Sequence, residues 1–119
     1  MLGEELEKKV ELAWLLAFYG SLLTEKQQQV LRLYCEEDYS LAEIAAEAGI
    51  SRQGVHDQLT RASHRLFELE EKLGIAARFT RTQEGLAEAL RLLRASQYLE
   101  AERLLEGLIR TDQEENDGL

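Results

Sequence analysis

The sequence predicts an all-α protein with a helix-turn-helix core, and three observations lead to that prediction. The chain of 119 residues contains no proline, and its glycines and serines are sparse, which favours helices joined by short connections. Two segments open with a capping-box pattern, a hydroxyl residue followed three positions later by Glu or Gln. A third segment repeats apolar residues at spacings of three and four along a long amphipathic helix.

The first predicted helix runs from about Leu2 to Tyr19 and ends at Gly20, where the backbone can turn. Its second half, LAWLLAFY, is apolar almost all round, whereas a surface helix shows a single apolar stripe. This helix is therefore either buried on two sides or in contact with another chain. Because closed two-fold dimers are the commonest assembly, we predict a homodimer whose candidate interface comprises Trp14, Leu15 and Phe18.

Two capping boxes predict where the next two helices begin. Thr24, followed by Gln27, opens a helix that carries an apolar face. Ser40, followed by Glu43, opens a short helix over residues 41–48. Each box satisfies two backbone N–H groups that a helix start would otherwise leave unpaired, so both helices have well-defined first residues.

A glycine turn joins the short helix to a long one, in the order of elements that a helix-turn-helix motif has. Gly49 can adopt the turn conformation, and Ser51 is predicted to cap the long helix. Apolar residues then recur at spacings of four and three and form one continuous inward face. These residues are Val55, Leu59, Ala62, Leu66, Leu69 and Leu73.

The opposite arc of the long helix is polar and predicts a nucleic-acid contact surface. Its members, beginning at the exposed N-terminal turn, are Arg52, Gln53, His56, Asp57, Thr60, Arg61 and His64. A recognition helix reads base edges with amide and guanidinium side chains, and Gln53 and Arg61 suit bidentate contacts best. The alternative is an ordinary solvated helix face, since Asp57 places a negative charge within the proposed surface.

The charge of the chain argues against general binding to polyanions. The net charge is -9, and an acidic surface repels phosphate at long range. Residues 1–50 carry four Lys and Arg against ten Asp and Glu, and residues 83–119 carry four against nine. Residues 51–82 carry six against four, so the only basic segment contains the proposed recognition helix.

Other function classes find little support in the sequence. It has no phosphate-binding glycine loop and no nucleophile beside a base, so we expect neither enzymatic activity nor a cofactor. Cys35 lacks a disulfide partner and is interpreted as a buried small hydrophobe, while His56 and His64 are too far apart to share a metal ion. The acidic N-terminus and short apolar runs predict no secretory signal, no membrane insertion and a cytoplasmic location.

We divide the chain into three parts. Residues 1–74 hold the N-terminal helix and the helix-turn-helix core, and residues 75–110 form a C-terminal helical extension that packs on the same domain. Residues 74–82 are predicted as the tail of the long helix or a short extra one, and two amphipathic helices follow. Their apolar faces cover either the core or a partner. Residues 111–119, which are acidic and without apolar periodicity, are predicted to be a disordered tail.

The segment FYGSLLTEKQQQVLRLYCEEDYSLAEIAAEAGISRQGVHDQLTRA closely resembles the YlxM family of small bacterial helix-turn-helix proteins, which look like region 4 of sigma factors. The resemblance covers roughly Val10 to Leu73, and the strings FYGSLLTEKQ, SLAEIA and SRQ are together quite specific. The family usually continues from SRQ as AVYDN, whereas this chain has Gly54 and His56 in place of the alanine and the tyrosine. Gly54 weakens a helix start by up to ~1 kcal/mol relative to alanine.

The resemblance implies a regulatory or accessory role in the signal recognition particle pathway, a link that rests on gene neighbourhood with the particle's GTPases. The implied partners are therefore DNA, the RNA of the particle, or those GTPases. An RNA target would be recognised through loops or shape, because the A-form major groove is too narrow for side chains to read. The alternative is a protein-interaction adaptor that has kept the helix-turn-helix shape without binding DNA.

Overall fold

The computed structural model describes residues 2–117, and the regular elements within them are six α-helices and one short 3-10 turn. The helices are α1 (Leu2–Tyr19), α2 (Glu25–Cys35), α3 (Leu41–Ala48), α4 (Arg52–Leu73), α5 (Ile75–Arg94) and α6 (Tyr98–Asp117). The 3-10 turn, Gly20–Leu22, follows α1. The chain divides into two compact units, Met1–Ala76 and Ala77–Leu119, and each is described by itself.

The first unit is organised around α4, whose inward face contacts two groups of buried residues. One group joins α4 to α1 and α2 and includes Leu12, Leu31 and Leu66, each at most 1% exposed. The other joins α4 to α2 and α3 and consists of Val30, Ile44, Ala48 and Val55. Because apolar burial is the main stabilising term in folding, these two groups fix the direction of α4 against three other helices.

A partly buried hydrogen-bonded junction ties the end of α1 to the turn after α4. The hydroxyl of Tyr19, which is 1% exposed, donates to the carboxylate of Glu70 in the last turns of α4. The same hydroxyl accepts from the backbone N–H of Ile75 at 3.1 Å, and Glu70 accepts from the N–H of Ala76 at 3.0 Å. These N–H groups begin α5 and have no partner within that helix. Burial, reinforced by the bond to Glu70, raises the pKa of the Tyr19 hydroxyl.

Helix α1 carries two apolar faces, only one of which is covered within the first unit. The inward face contributes Leu12, Leu15, Leu16 and Tyr19 to the core. The outward face exposes Leu6, Val10 and Trp14, which are 64%, 61% and 42% accessible. The prediction that Leu15 belongs to a dimer interface is therefore wrong, because Leu15 is 4% exposed and packs inside its own unit. The half-buried Phe18 packs against the core and lies edge-on to Trp14, with 4.9 Å between ring centroids.

The second unit is a helical hairpin, and two of its helix boundaries differ from those that the sequence predicts. Residues 75–94 form one continuous helix, α5, and Gly74 ends α4 with φ at 63°. The prediction of disorder from residue 111 is wrong for residues 111–117, which continue α6, while Gly118 and Leu119 lie outside the described residues. That α5 and α6 pack on the core of the first unit stays a prediction.

Ion pairs between the two helices explain why the acidic end of α6 is helical. The guanidinium of Arg78 in α5 donates from Nε to Asp112 Oδ1 at 2.9 Å and lies 3.0 Å from Glu115 Oε2. Arg81 also pairs with Glu115. The carboxylates at the end of α6 thus pair with arginines of α5. Apolar periodicity along the tail alone gives no sign of these ion pairs, because the arginines lie in a different helix.

Gly85 and Gly107 provide a matched test of how closely α5 and α6 approach. A Cβ atom added at Gly85 would lie 2.6 Å from Leu108 Cδ2, whereas one added at Gly107 would meet no atom within 4 Å. Both glycines are inside helices, where alanine is favoured by up to ~1 kcal/mol. We therefore expect Gly107→Ala to raise the melting temperature and Gly85→Ala to lower it or leave it unchanged. Equal stabilisation by both substitutions, measured by circular dichroism, would contradict the close approach.

Candidate nucleic-acid interface

The helix starts that frame the helix-turn-helix motif are held by side-chain caps. Thr24 Oγ1 accepts from the N–H of Gln27 at 3.1 Å, and the Gln27 side chain accepts from the N–H of Thr24 at 3.1 Å. Ser40 and Glu43 form the same pair of bonds, at 3.1 and 3.0 Å. The bond from the Ser40 backbone N–H lowers the pKa of the Glu43 carboxyl. These bonds define the first residues of α2 and α3, and each joins a hydroxyl residue to the Gln or Glu three positions later.

The turn between α3 and α4 is held from both sides. Gly49 takes the left-handed conformation with φ at 69°, which glycine adopts without a steric penalty. Lys26 in α2 donates from Nζ to the carbonyl oxygen of Ala48 at 2.8 Å, placing a positive charge at the C-terminus of α3. Ser51 Oγ then accepts from the N–H of Gly54 at 2.9 Å and caps α4. The start of α4 therefore projects from a rigid turn.

The structure places all seven sequence-predicted contact residues on the exposed side of α4. These residues, which we call the polar arc, are Arg52, Gln53, His56, Asp57, Thr60, Arg61 and His64. The side chains of His56 and Asp57 are 65% and 53% accessible. On the opposite side of the helix, Val55, Ala62 and Leu66 are fully buried. The polar arc thus lies where a nucleic acid can reach it, and its backbone is anchored by the core.

One pair inside the polar arc constrains its chemistry. Gln53 Nε2 donates to Asp57 Oδ1 at 3.1 Å, and His56 Nδ1 lies 3.9 Å from the same oxygen. Asp57 therefore orients the Gln53 amide along the surface of the helix. To contact a base edge, Gln53 must exchange this bond for one to the base, and the carboxylate must stay clear of phosphates.

Sequence reasoning missed a groove that opens beside the polar arc, between α1, α2 and α4. This groove, which we call the side groove, has a volume of about 480 Å³. It combines three members of the polar arc, His56, Thr60 and His64, with Phe67 of the same helix, Lys8 of α1 and Tyr34 of α2. Leu12, Leu59 and Ser63 complete its lining. Phe67 could have indicated this groove from the sequence, because its aromatic ring interrupts a polar helix face. Lys8 and Tyr34 could not, since only the packing of α1 and α2 against α4 brings them to the groove.

The described part of the chain has no cluster of metal-ligating side chains and no activated thiol. Across residues 2–117 there is no group of three or more His, Cys, Asp or Glu side chains that could hold a metal ion. Cys35 is half-buried, rather than fully buried as its sequence context predicts, and burial raises the pKa of its thiol to about 11. A thiol that stays protonated at neutral pH is a weak nucleophile.

Within residues 2–117, no helix combines the length and apolarity that crossing a membrane requires.

The cap at Ser51 should contribute to stability without touching a ligand. Ser51→Ala removes the bond to the Gly54 N–H and is expected to lower the free energy of unfolding by ~1 kcal/mol. Ser51→Asp keeps an acceptor at this position and serves as the matched control. Denaturant unfolding of the three proteins measures the difference, and a Ser51→Ala variant as stable as Ser51→Asp would show that the cap is energetically unimportant.

Comparisons with known proteins extend the resemblance to nearly the whole chain. Residues 6–105 match the family model UPF0122, described as "Putative helix-turn-helix protein, YlxM / p13 like". A UPF0122 protein of Desulforamulus reducens is 46% identical over 89 residues, covering 75% of this chain and 76% of the relative. One from Symbiobacterium thermophilum is 43% identical over 82% and 91% of the two chains. One from Bacillus pumilus is 42% identical over 90% and 98%. The similarity therefore continues past Leu73 into α6.

Proposed function

The chain belongs to the UPF0122 family of YlxM/p13-like helix-turn-helix proteins, and from this premise we propose that it is a regulatory protein that binds nucleic acid through α4. One observation carries the proposal. The polar arc is exposed on a helix whose other side is buried and whose first turn is capped. That arrangement presents the N-terminal side chains of α4 on a backbone that is already ordered before a ligand binds.

Within this proposal, the residues of the polar arc have different roles. Gln53 and Arg61 contact base edges, where an amide and a guanidinium make paired hydrogen bonds. Arg52 lies at the first position of α4, where backbone N–H groups also favour phosphate. Thr60 and His64 extend the contact along the helix. Asp57 opposes binding of phosphate and restricts how the nucleic acid can approach.

The proposal includes the cellular setting that the sequence resemblance implies. The protein acts in the cytoplasm in the signal recognition particle pathway, on DNA or on the RNA of the particle, with the particle's GTPases as further partners. The net charge of -9 supports selective over general binding, because most of the surface repels phosphate. Recognition then depends on the few cations of α4 and on side-chain contacts.

A protein-interaction adaptor is the second candidate, and the outward face of α1 favours it. Leu6, Val10 and Trp14 form an exposed apolar stripe on a helix whose other face is already buried. Such a stripe fits a helix of another chain. The adaptor would use this stripe and leave the polar arc in solvent.

Nuclease treatment of the protein recovered from its own cells separates these candidates. The tagged full chain is purified, and its bound material is analysed after RNase, after DNase and without treatment. We expect bound nucleic acid that only one of the nucleases removes, which also identifies it as RNA or DNA. Recovery of protein partners unaffected by either nuclease, with no nucleic acid retained, would contradict the proposed function and support the adaptor.

We further propose that the protein is a homodimer formed through the outward face of α1. Leu6, Val10, Ala13 and Ala17 follow one another at spacings of four, three and four, which is the spacing of a coiled-coil seam. Trp14, with Phe18 edge-on to it, flanks this seam. Leu15 is excluded because it is buried in its own unit.

Val10→Glu should convert the dimer into a monomer, because it places a charge in the middle of the apolar seam. Leu99→Glu is the matched control, since Val10 and Leu99 are 61% and 58% exposed on different helices. Light scattering at micromolar concentration should give the mass of two chains for the wild type and Leu99→Glu, and of one chain for Val10→Glu. A wild-type mass of 13.6 kDa at all concentrations would rule out the dimer.

A further inference from the structure

We propose that the side groove binds one unpaired nucleobase, so that the protein prefers a looped or bulged nucleic acid to a fully paired duplex. This inference rests on the proposed nucleic-acid binding and specifies the structural form of that partner. It concerns only residues of the first unit, since every residue that lines the side groove lies between Lys8 and Phe67.

The dimensions of the side groove suit a flat ring. Its volume of about 480 Å³ falls within the ~300–1,000 Å³ that small-molecule sites span. That space accommodates one base with its sugar. The floor is apolar, formed by the buried Leu12 and the half-buried Leu59. A base would therefore exchange contact with water for contact with carbon atoms on its faces.

The side chains around the groove provide each kind of contact that an unpaired nucleotide uses. Phe67 is an aromatic ring of the kind on which bases stack in single-stranded complexes, and Tyr34, whose ring carries Lys9 Nζ 4.5 Å from its centroid, borders the groove. The hydroxyls of Thr60 and Ser63 can donate to or accept from the edge of a base. Lys8 adds a cation for the phosphate. Phe67 is 38% exposed although it is apolar, and a stacked base would cover that surface.

The position of the groove connects it to the proposed contact surface. His56, Thr60 and His64 belong both to the polar arc and to the lining of the side groove. A strand whose backbone lies along the arc therefore has the groove at its side. A base that remains paired and stacked in a duplex cannot turn into this groove, whereas a base in a loop or bulge is free to do so. Occupation of the groove thus selects for unpaired nucleotides.

Two-stranded duplexes with one bulged 2-aminopurine test the inference directly, because the fluorescence of this base falls when it stacks. Four probes are compared, namely a fully paired duplex and one that differs from it only by a single bulged 2-aminopurine, each as DNA and as RNA. We expect wild-type protein to bind a bulged probe about 10-fold more tightly than its paired counterpart and to quench its fluorescence. The DNA and RNA arms show which nucleic acid supplies the base.

Substitutions in the full chain locate the effect. Phe67→Ala should abolish both the preference for the bulge and the quenching, whereas Tyr98→Ala, an exposed aromatic residue of the second unit, should leave both unchanged. Thr60→Val removes a hydroxyl but keeps the shape of the side chain, and it should weaken the preference for the bulged probe by several-fold. If circular dichroism shows that Phe67→Ala does not fold, the inference is tested with Thr60→Val.

Three outcomes would overturn the inference. Equal affinity of the wild type for paired and bulged probes, or an unchanged preference in folded Phe67→Ala and in Thr60→Val, would exclude a base in the side groove. Either result leaves nucleic-acid binding by the polar arc standing. Absence of binding to all four probes would overturn the inference, whereas the proposed function is overturned only if the nuclease experiment recovers no nucleic acid.

Discussion

Replacing Glu70 by alanine is expected to destabilise the protein by about 3 kcal/mol. The substitution removes the acceptor for the Tyr19 hydroxyl and for the N–H of Ala76. Hydrogen bonds to a charged group contribute about 1.5–3 kcal/mol each, and a buried donor left without a partner adds a penalty. Tyr19 is 1% exposed, so water cannot readily replace the lost carboxylate. Denaturant unfolding of the full chain measures the effect.

Three further variants show whether this loss comes from the junction. Glu70→Gln retains an acceptor oxygen and should cost less than Glu70→Ala, while Tyr19→Phe should cost about 1–2 kcal/mol. Glu71→Ala changes an exposed neighbour on the same helix and should have an effect below ~0.5 kcal/mol. In a double-mutant cycle, Glu70→Ala and Tyr19→Phe should be non-additive. Additive effects, or a Glu70→Ala variant as stable as Glu71→Ala, would contradict the role of the junction.

Replacing Arg52, Gln53 and Arg61 together by alanine is expected to weaken nucleic-acid binding about 100-fold without unfolding the protein. Each good bidentate base contact contributes about 1–3 kcal/mol, and a factor of ten corresponds to about 1.4 kcal/mol. All three side chains are exposed, so each substitution should change stability by less than ~0.5 kcal/mol. Binding to the recovered nucleic acid is measured by fluorescence anisotropy, with circular dichroism as the check on folding.

A second triple variant controls for charge. Gln83, Arg94 and Arg103 are also exposed, and replacing them by alanine removes the same residue types from the second unit. If the polar arc makes specific contacts, this control should retain affinity although its net charge changes equally. Equal losses in both variants would show that only overall charge matters. Unchanged binding by the first triple variant, with an intact fold, would refute recognition by α4 and leave the adaptor function.

Local features of the fold could be predicted from the sequence because their partners lie within a few residues. The capping boxes of Thr24 and Ser40 and the cap at Ser51 each join residues three apart. The inward face of α4 repeats at helical spacing, so its exposed side could also be assigned, and all residues of the polar arc are exposed. Whether they contact a nucleic acid stays a prediction, because exposure alone does not distinguish a binding surface from a solvated one.

Features that join distant segments could not be predicted in this way. An apolar helix such as α1 could turn any of its faces inward, and packing against α2 and α4 decided that Leu15 is buried and Trp14 exposed. Arg78 and Asp112, which help to keep the last turns of α6 helical, are 34 residues apart.

The sequence by itself therefore determined where most helices begin and which face of α4 is polar, because hydrogen bonds and side-chain spacing within a helix turn depend on neighbouring residues. Only the tertiary structure decided the Tyr19–Glu70 junction, the exposed face of α1 and the side groove. Each of these depends on how separate helices pack, and packing is set by the shapes and volumes of side chains far apart in the chain. Lys8, Tyr34 and Phe67 share one groove for that reason alone.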